Sequence, residues 1–116
     1  MQDDVRAFLW DVQTAADAIL KFIDGIDYAA YAGNDVVHSA VERKFEIIGE
    51  ALNNLSKRDA ALAARVPNCR EIIAFRNVLI HGYARVQHDR VWRIAQTLLP
   101  GLRTTIGVLL AELGTT

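Results

Sequence analysis

The sequence predicts an all-α protein, an antiparallel helical bundle of four longer helices plus a short one. Apolar residues recur at alternating steps of three and four along most of the chain, which is the spacing of one helix face. Period-two alternation and hairpin turn dipeptides such as Asn-Gly are absent, so no strand competes. The chain has 116 residues, of which 52% are hydrophobic. We therefore expect one domain over residues 1–116.

The first predicted helix covers about residues 3–26. Asp3 or Asp4 can cap its start, and Gly25 lies near its end. One apolar stripe runs along it: Val5, Leu9, Val12, Ala16, Ile19, Ile23 and Ile26. We predict residues 28–33 to be a connection without regular structure.

The second helix is predicted to start after Asn34, an N-cap type, and to end near Leu55. Its stripe is Val37, Val41, Phe45, Ile48, Leu52 and Leu55. A short helix should then run from about Ser56 to Arg65, because Pro67 stops helices that precede it.

The third long helix should follow a capping box, with Asn68 as the cap and Glu71 three residues later. It carries one apolar face, formed by Ile72, Phe75 and Leu79. Gly82 suits a left-handed residue at its C-terminal end.

The last helix should begin near Asp89 and continue, bent at Pro100, to the end of the chain. Its stripe is Val91, Ala95, Leu98, Leu102, Ile106, Leu109 and Leu113. The first two long helices also carry extra apolar residues: Phe8, Leu20, Phe22, Ile47 and Ala51. Such wide stripes favour a second copy of the chain as a packing partner. Trp10 and Trp92 are expected to be core or interface anchors.

Composition narrows the function classes. The net charge of −1 and pI of about 6.3 disfavour strong non-specific binding to nucleic acid, although a local basic cleft stays open. The lone Cys69 allows no internal disulfide, and we expect it to be half-buried. An acidic N-terminus and the lack of a long apolar run predict neither a signal peptide nor a membrane span. These features suit the cytoplasm.

One polar cluster stands out in the third long helix. Arg76 and Asn77 lie in mid-helix among apolar residues, and His81 lies at the C-terminal end. Asn77 and His81 are four apart and share a face, whereas Arg76 and His81 are about 140° apart around an ideal helix. Arg76 could reach sideways, both could enter a groove, or a second copy could bring them together across a two-fold axis.

The residue types in this cluster suit cleavage of an RNA phosphodiester without a metal ion. Histidine transfers protons near neutral pH, and arginine offers a fixed charge and a fork of donors to phosphate. On chemistry alone, however, Arg and His near a helix end are more often a surface pair or a C-cap.

The segment 76–83 has the spacing R-x4-H-x-Y, which resembles the motif of the HepT-like toxins in the HEPN superfamily. Three further stretches resemble that family: residues 46–51 (Glu-Ile-Ile-Gly-Glu-Ala), residues 70–73 with Arg76-Asn77, and the last helix with Asp89, Val91-Trp92 and Leu99-Pro100-Gly101-Leu102. Cys69 departs from it, because an aromatic residue is common at that position.

This resemblance implies a HEPN-type bundle that forms a homodimer, with the motifs of both subunits facing one cleft. It implies the toxin of a type II toxin–antitoxin pair that acts on RNA as a metal-independent endoribonuclease without a cofactor. By position, Arg76, Asn77 and His81 form the catalytic group. A minimal nucleotidyltransferase antitoxin would be the partner and would transfer AMP to Tyr83.

Two other hypotheses stay open. The chain could be a non-catalytic adaptor or nucleotide-binding subunit of a nucleotidyltransferase complex, which the acidic pI favours slightly. It could also be a structural dimer, which leaves Arg76 and Asn77 unexplained.

A metal site is not predicted from the sequence. The three histidines, His38, His81 and His88, lack a known ligand spacing. The ladder of Glu42, Glu46 and Glu50 is expected to be a solvated helix face.

Overall fold

A computed structural model describes residues 2–81 and 87–114 of the chain. Within that part the protein is entirely helical, which confirms the predicted all-α class. The helices are α1 (Gln2–Ile23), α2 (Tyr28–Ala32), α3 (Asp35–Arg58), α4 (Ala60–Ala63), α5 (Cys69–His81), α6 (His88–Thr97) and α7 (Leu99–Gly114).

Helix α3 is the centre of the bundle, with α1 packed along one side and α5 along another. Helix α7 packs on α1, and α6 contacts α2 and α7. Arg58 at the end of α3 pairs with Asp4 at the start of α1. Arg6 near the start of α1 donates to the carbonyl of Leu113 near the end of α7, at 2.8 Å. Both contacts show antiparallel neighbours, as predicted.

The core consists of the predicted stripes. Every stripe residue of α1 from Val5 to Ile23, and of α3 from Val41 to Leu55, is buried. Most of the extra apolar residues are also used within the chain, since Ala51 is buried and Phe8, Leu20 and Ile47 pack against the core. Trp10 is 60% exposed, so it is not a core anchor.

Residues 28–33 are not the irregular connection that the sequence predicted. They form the one-turn helix α2, in which the Asp27 carboxylate accepts a hydrogen bond from the Ala30 amide at 2.9 Å. The fully buried Tyr31 anchors this turn beside Trp92, with ring centroids 5.1 Å apart. A cap and one large buried side chain therefore hold a segment that is too short to show periodicity.

The predicted cap of α3 is confirmed, because the Asn34 side chain accepts from the amides of Val36 and Val37 at 3.1 Å. Helix α3 extends further than expected, to Arg58. The short helix is therefore smaller than predicted and begins only after Asp59, whose carboxylate accepts from the Leu62 amide.

The capping box predicted before α5 does not form. Asn68 has a φ of 58°, outside the extended region of an N-cap residue, although its carbonyl accepts the first helical bond from Ile72. Its side chain donates to Glu71 Oε1 at 2.8 Å instead of accepting from the backbone. Asparagine tolerates this left-handed conformation better than most residues.

The single bent helix expected at Pro100 is instead two helices. Helices α6 and α7 are separated at Leu98 and bend by 46°. Pro100 is the second residue of α7, where a missing amide hydrogen removes no intrahelical bond. The proline therefore starts a helix rather than kinking one.

No single helix in the described ranges is long and apolar enough to cross a membrane; α6 and α7 meet that test together, across their bend.

Candidate active site

Helix α5 lies close to α3 because α3 has a glycine at the contact. A Cβ added to Gly49 would overlap the Cβ of Arg76 and would lie 3.1 Å from its Cγ. The aliphatic part of Arg76 thus packs directly on the α3 backbone. Glycine at this position sets where Arg76 stands relative to the rest of the bundle.

The guanidinium of Arg76 has few partners. Its Nε is buried and has no hydrogen-bond acceptor among the described residues. Its Nη1 lies 3.4 Å from Asn77 Oδ1, which is a long hydrogen bond. A buried donor without a partner is costly, so this group is suited to receive an anion.

The other side of α5 is exposed. Phe75 anchors the buried side against Phe45, with ring centroids 5.6 Å apart. Asn77 and His81 are exposed, and the His81 ring forms no hydrogen bond or ion pair with any residue in the described ranges.

The structure therefore places Arg76 and Asn77 together and His81 at the end of the same helix, as the sequence predicted. Gly82 and Tyr83 lie outside the described residues, so the predicted left-handed glycine and modified tyrosine stay predictions.

A groove with basic residues beside α5 was not predicted. It lies between α5 and α6 and is lined by Arg90 and Arg93 together with Phe75. The Arg90 guanidinium carbon is 5.4 Å from the centre of the Phe75 ring. The net charge of −1 gives no sign of this local cluster. The i, i+3 spacing of the two arginines is the sequence feature that could have indicated it.

A second polar cluster lies between α3 and α6, and it is the place where described residues could hold a metal ion. His38, Glu42 and His88 each offer a ligand atom, all within 4.8 Å of one another. His81 is not among them. The Glu42 side chain is only 20% exposed, so Glu42 does not belong to a solvated ladder. Glu50 is exposed, and Glu46 pairs with Arg43 at 3.2 Å.

Tyr31 closes this cluster from the side of α2. Its ring centroid lies 6.3 Å from each of the His38 and His88 rings. Burial, together with the negative charge of Glu42, raises the pKa of the Tyr31 phenol above its usual value.

Cys69 is the first residue of α5. Burial raises the pKa of its half-buried thiol.

A family profile described as ribonuclease HepT-like matches residues 12–109. The chain belongs to this family. The matched span contains Gly49, Arg76, Asn77, His81 and Tyr83, so the glycine contact and the polar cluster of α5 lie within the HepT-like region.

Individual relatives agree with this family. The chain is 31% identical over 106 residues to a "Putative RNase" of Methanocaldococcus jannaschii, covering 91% of this chain and 96% of the relative. It is 29% identical over 103 residues to a "Probable ribonuclease HepT" of Thermococcus cleftensis, covering 89% and 93%. No solved structure matches the chain.

Proposed function

We propose that this HepT-like chain is an endoribonuclease that cleaves RNA without a metal ion, with Arg76, Asn77 and His81 as its catalytic group. One observation carries the proposal: the half-buried guanidinium of Arg76 has a donor with no partner among the described residues, and the exposed imidazole of His81 ends the same helix. Membership of a ribonuclease HepT-like family and the names of the relatives support it.

The chemistry follows from these two groups. The ribose 2′-oxygen attacks the adjacent phosphorus while a neutral imidazole removes its proton. The bond from phosphorus to the 5′-oxygen then breaks, and an imidazolium protonates that oxygen. The products are a 2′,3′-cyclic phosphate and a 5′-hydroxyl. Arg76 stabilises the charge that grows on the phosphoryl oxygens.

A homodimer would supply both protonation states of histidine at one cleft. Arg76 and His81 are about 140° apart on an ideal helix, so one copy presents them in different directions. The same exposed side of α5 carries Val78 and Ile80, which are 38% and 43% exposed. Apolar residues beside a catalytic histidine suit contact with a second copy.

The groove between α5 and α6 would guide the RNA backbone. Arg90 and Arg93 supply positive charge next to α5, on a chain whose net charge is −1. Local arginines bind phosphate without requiring a basic protein as a whole.

We further propose that the chain is the toxin of a toxin–antitoxin pair in the cytoplasm. Its partner would be a minimal nucleotidyltransferase that moves AMP from ATP to the Tyr83 hydroxyl, releasing pyrophosphate and the phenolic proton. The added phosphate is anionic and bulky, and Tyr83 is two residues from His81. The modified residue would then compete with an RNA phosphate for Arg76.

The cleavage claim is tested with purified protein and RNA in EDTA. Wild-type protein should produce fragments with cyclic-phosphate ends, and His81→Ala and Arg76→Ala should not. Equal cleavage by wild type and both variants would show a contaminating nuclease and would overturn the catalytic assignment.

The regulatory claim is tested by intact-mass measurement after co-expression with a minimal nucleotidyltransferase encoded beside this gene. The chain should gain the mass of AMP, and Tyr83→Phe should not. An unmodified chain that still forms a complex would favour the non-catalytic adaptor instead.

A further inference from the structure

The second polar cluster joins two helices that are distant in sequence. His38 and Glu42 are one turn apart on α3, and His88 is the first residue of α6. The side chains of His38, Glu42 and His88 are 13%, 20% and 33% exposed. The centroids of the His38 and His88 rings are 4.1 Å apart, and the ring planes are tilted by 32°.

One nitrogen of each histidine ring lies near Glu42. His38 Nε2 lies 3.0 Å from Asp35 Oδ1, and a proton on Nε2 would be donated to that carboxylate and would leave Nδ1 as the ligand atom of the ring. His38 Nδ1 is 3.5 Å and His88 Nδ1 is 3.7 Å from the same atom, Glu42 Oε2. Both Nδ1 atoms are buried and form no hydrogen bond with any described residue.

Two ring nitrogens and one carboxylate oxygen therefore lie within 4.8 Å of one another. Electron-pair donors this close to one another repel unless a metal ion or a proton lies between them. A buried arrangement of this kind needs an explanation. By Coulomb's law, a positive charge between the three donor atoms would stabilise it.

We propose that His38, Glu42 and His88 bind a divalent transition-metal ion of the zinc class. Tetrahedral ligands at 2.0–2.2 Å from zinc are about 3.3–3.6 Å from one another. Of the observed separations from Glu42 Oε2, 3.5 Å lies within that range and 3.7 Å lies just above it. Imidazole ligands select zinc, cobalt or nickel over magnesium and calcium.

The surroundings of His38 agree with metal binding. Asp35 accepts from the nitrogen of His38 that faces away from the cluster, which is the usual outer carboxylate of a histidine ligand. Three protein ligands leave a fourth tetrahedral position for a water molecule.

The ion would have a structural role. It would tie the first residue of α6 to α3, immediately after the segment 82–87 that carries Tyr83. Its ligands are not the residues proposed to cleave RNA. The inference therefore does not rest on the ribonuclease proposal, and its failure would leave that proposal unchanged.

Protein stripped with EDTA and desalted is titrated with Zn²⁺, Co²⁺ or Mg²⁺ and followed by thermal unfolding. Zn²⁺ and Co²⁺ should raise the Tm by on the order of 10 °C at one hundred times the Kd, and Mg²⁺ should leave it unchanged. Bound Co²⁺ should also give visible absorption bands, and native mass spectrometry should show one ion per chain.

His88→Gln and Glu42→Gln should lose the Tm rise, the cobalt bands and the bound ion, and His81→Gln should keep all three. Two ligand variants are used so that the test still stands if one of them fails to fold. Equal responses of wild type and His88→Gln would overturn the proposal. So would a wild-type Tm that ignores Zn²⁺ and Co²⁺ but falls as pH rises from 5 to 8, which would show that a proton neutralises the cluster.

Discussion

The α5 group (Arg76, Asn77 and His81) and the α3–α6 cluster (His38, Glu42 and His88) both combine histidine with a charged side chain. They differ in how far their side chains are exposed to solvent. In the α5 group, Asn77 and His81 are exposed, and Arg76 has a buried donor without an acceptor in residues 2–81 and 87–114. In the α3–α6 cluster, His38 and Glu42 are largely buried and face His88 across a helix contact. The first arrangement leaves its donors available to a molecule from outside, whereas the second brings ligand atoms of three side chains within 4.8 Å of one another.

This difference in exposure predicts that substitutions in the α5 group change activity, whereas substitutions in the α3–α6 cluster change stability. Replacing an exposed group that waits for a ligand should change activity without unfolding the protein. Replacing a half-buried group that faces other protein atoms should change stability first. A substitution at Gly49 should change both activity and stability, because Gly49 packs against the side chain of Arg76.

The largest expected effect is on cleavage. His81→Ala should lower the rate of RNA cleavage by about 10²- to 10⁴-fold, because a general acid–base group is lost. Its free energy of unfolding should stay within about 0.5 kcal/mol of wild type, since His81 is exposed. Thr14→Ala, an exposed change on α1, is the control for both measurements. A His81→Ala protein that is inactive only because it is unfolded would break the separation.

Gly49→Ala should lower the free energy of unfolding by about 1–3 kcal/mol, because the new methyl group overlaps Arg76. Cleavage should fall as well, since Arg76 must shift. Urea unfolding and the EDTA assay measure the two effects. Gly101→Ala is the matched control: it is also helical, nothing lies within 4 Å of its Cβ position, and it should stabilise by about 0.5–1 kcal/mol. Unchanged stability of Gly49→Ala would contradict the close packing.

Tyr31 predicts a pH dependence. Its pKa is raised in the folded state, so the folded protein holds the phenolic proton more tightly than the unfolded chain does. The stability from this group is fully present below the unfolded pKa of about 10 and is lost as pH rises above it. Unfolding measured in urea from pH 8 to 11 should show this loss in wild type. Tyr31→Phe should show a smaller loss; an identical pH profile would contradict the assignment.

Asn77→Ala should have the smallest effect. Its contact with Arg76 is long, at 3.4 Å, and one such hydrogen bond contributes about 0.5–1.5 kcal/mol. Cleavage should therefore fall by about 2- to 13-fold, with unchanged stability. A loss as large as that of His81→Ala would show that Asn77 contacts the reacting atoms directly.

The sequence predicted that the α5 residues share one helix because that arrangement is local. Arg76, Asn77 and His81 lie on one helix, and helical spacing determines how they are placed relative to one another. The buried stripes and the cap at Asn34 were predicted for the same reason. The short helix α2 was missed because one turn has no periodicity, and the break before Pro100 was misplaced because a proline fits either a kink or a helix start.

The metal hypothesis reverses a sequence-based expectation. His38 and His88 are separated by 50 positions and have no ligand spacing that a sequence pattern would register. Glu42 looked like one step of a solvated ladder. Packing of α6 against the other helices buries Glu42 and brings the two rings to 4.1 Å.

The sequence by itself determined the long helices α1, α3 and α5, their buried faces, the α5 cluster and the family, because all four depend on the order of residues along short stretches. The tertiary structure alone decided that Gly49 supports Arg76, that Arg90 and Arg93 line a groove, and that His38, Glu42 and His88 face one another. Those arrangements depend on which helix packs on which, and long-range packing follows from the whole core rather than from any local pattern.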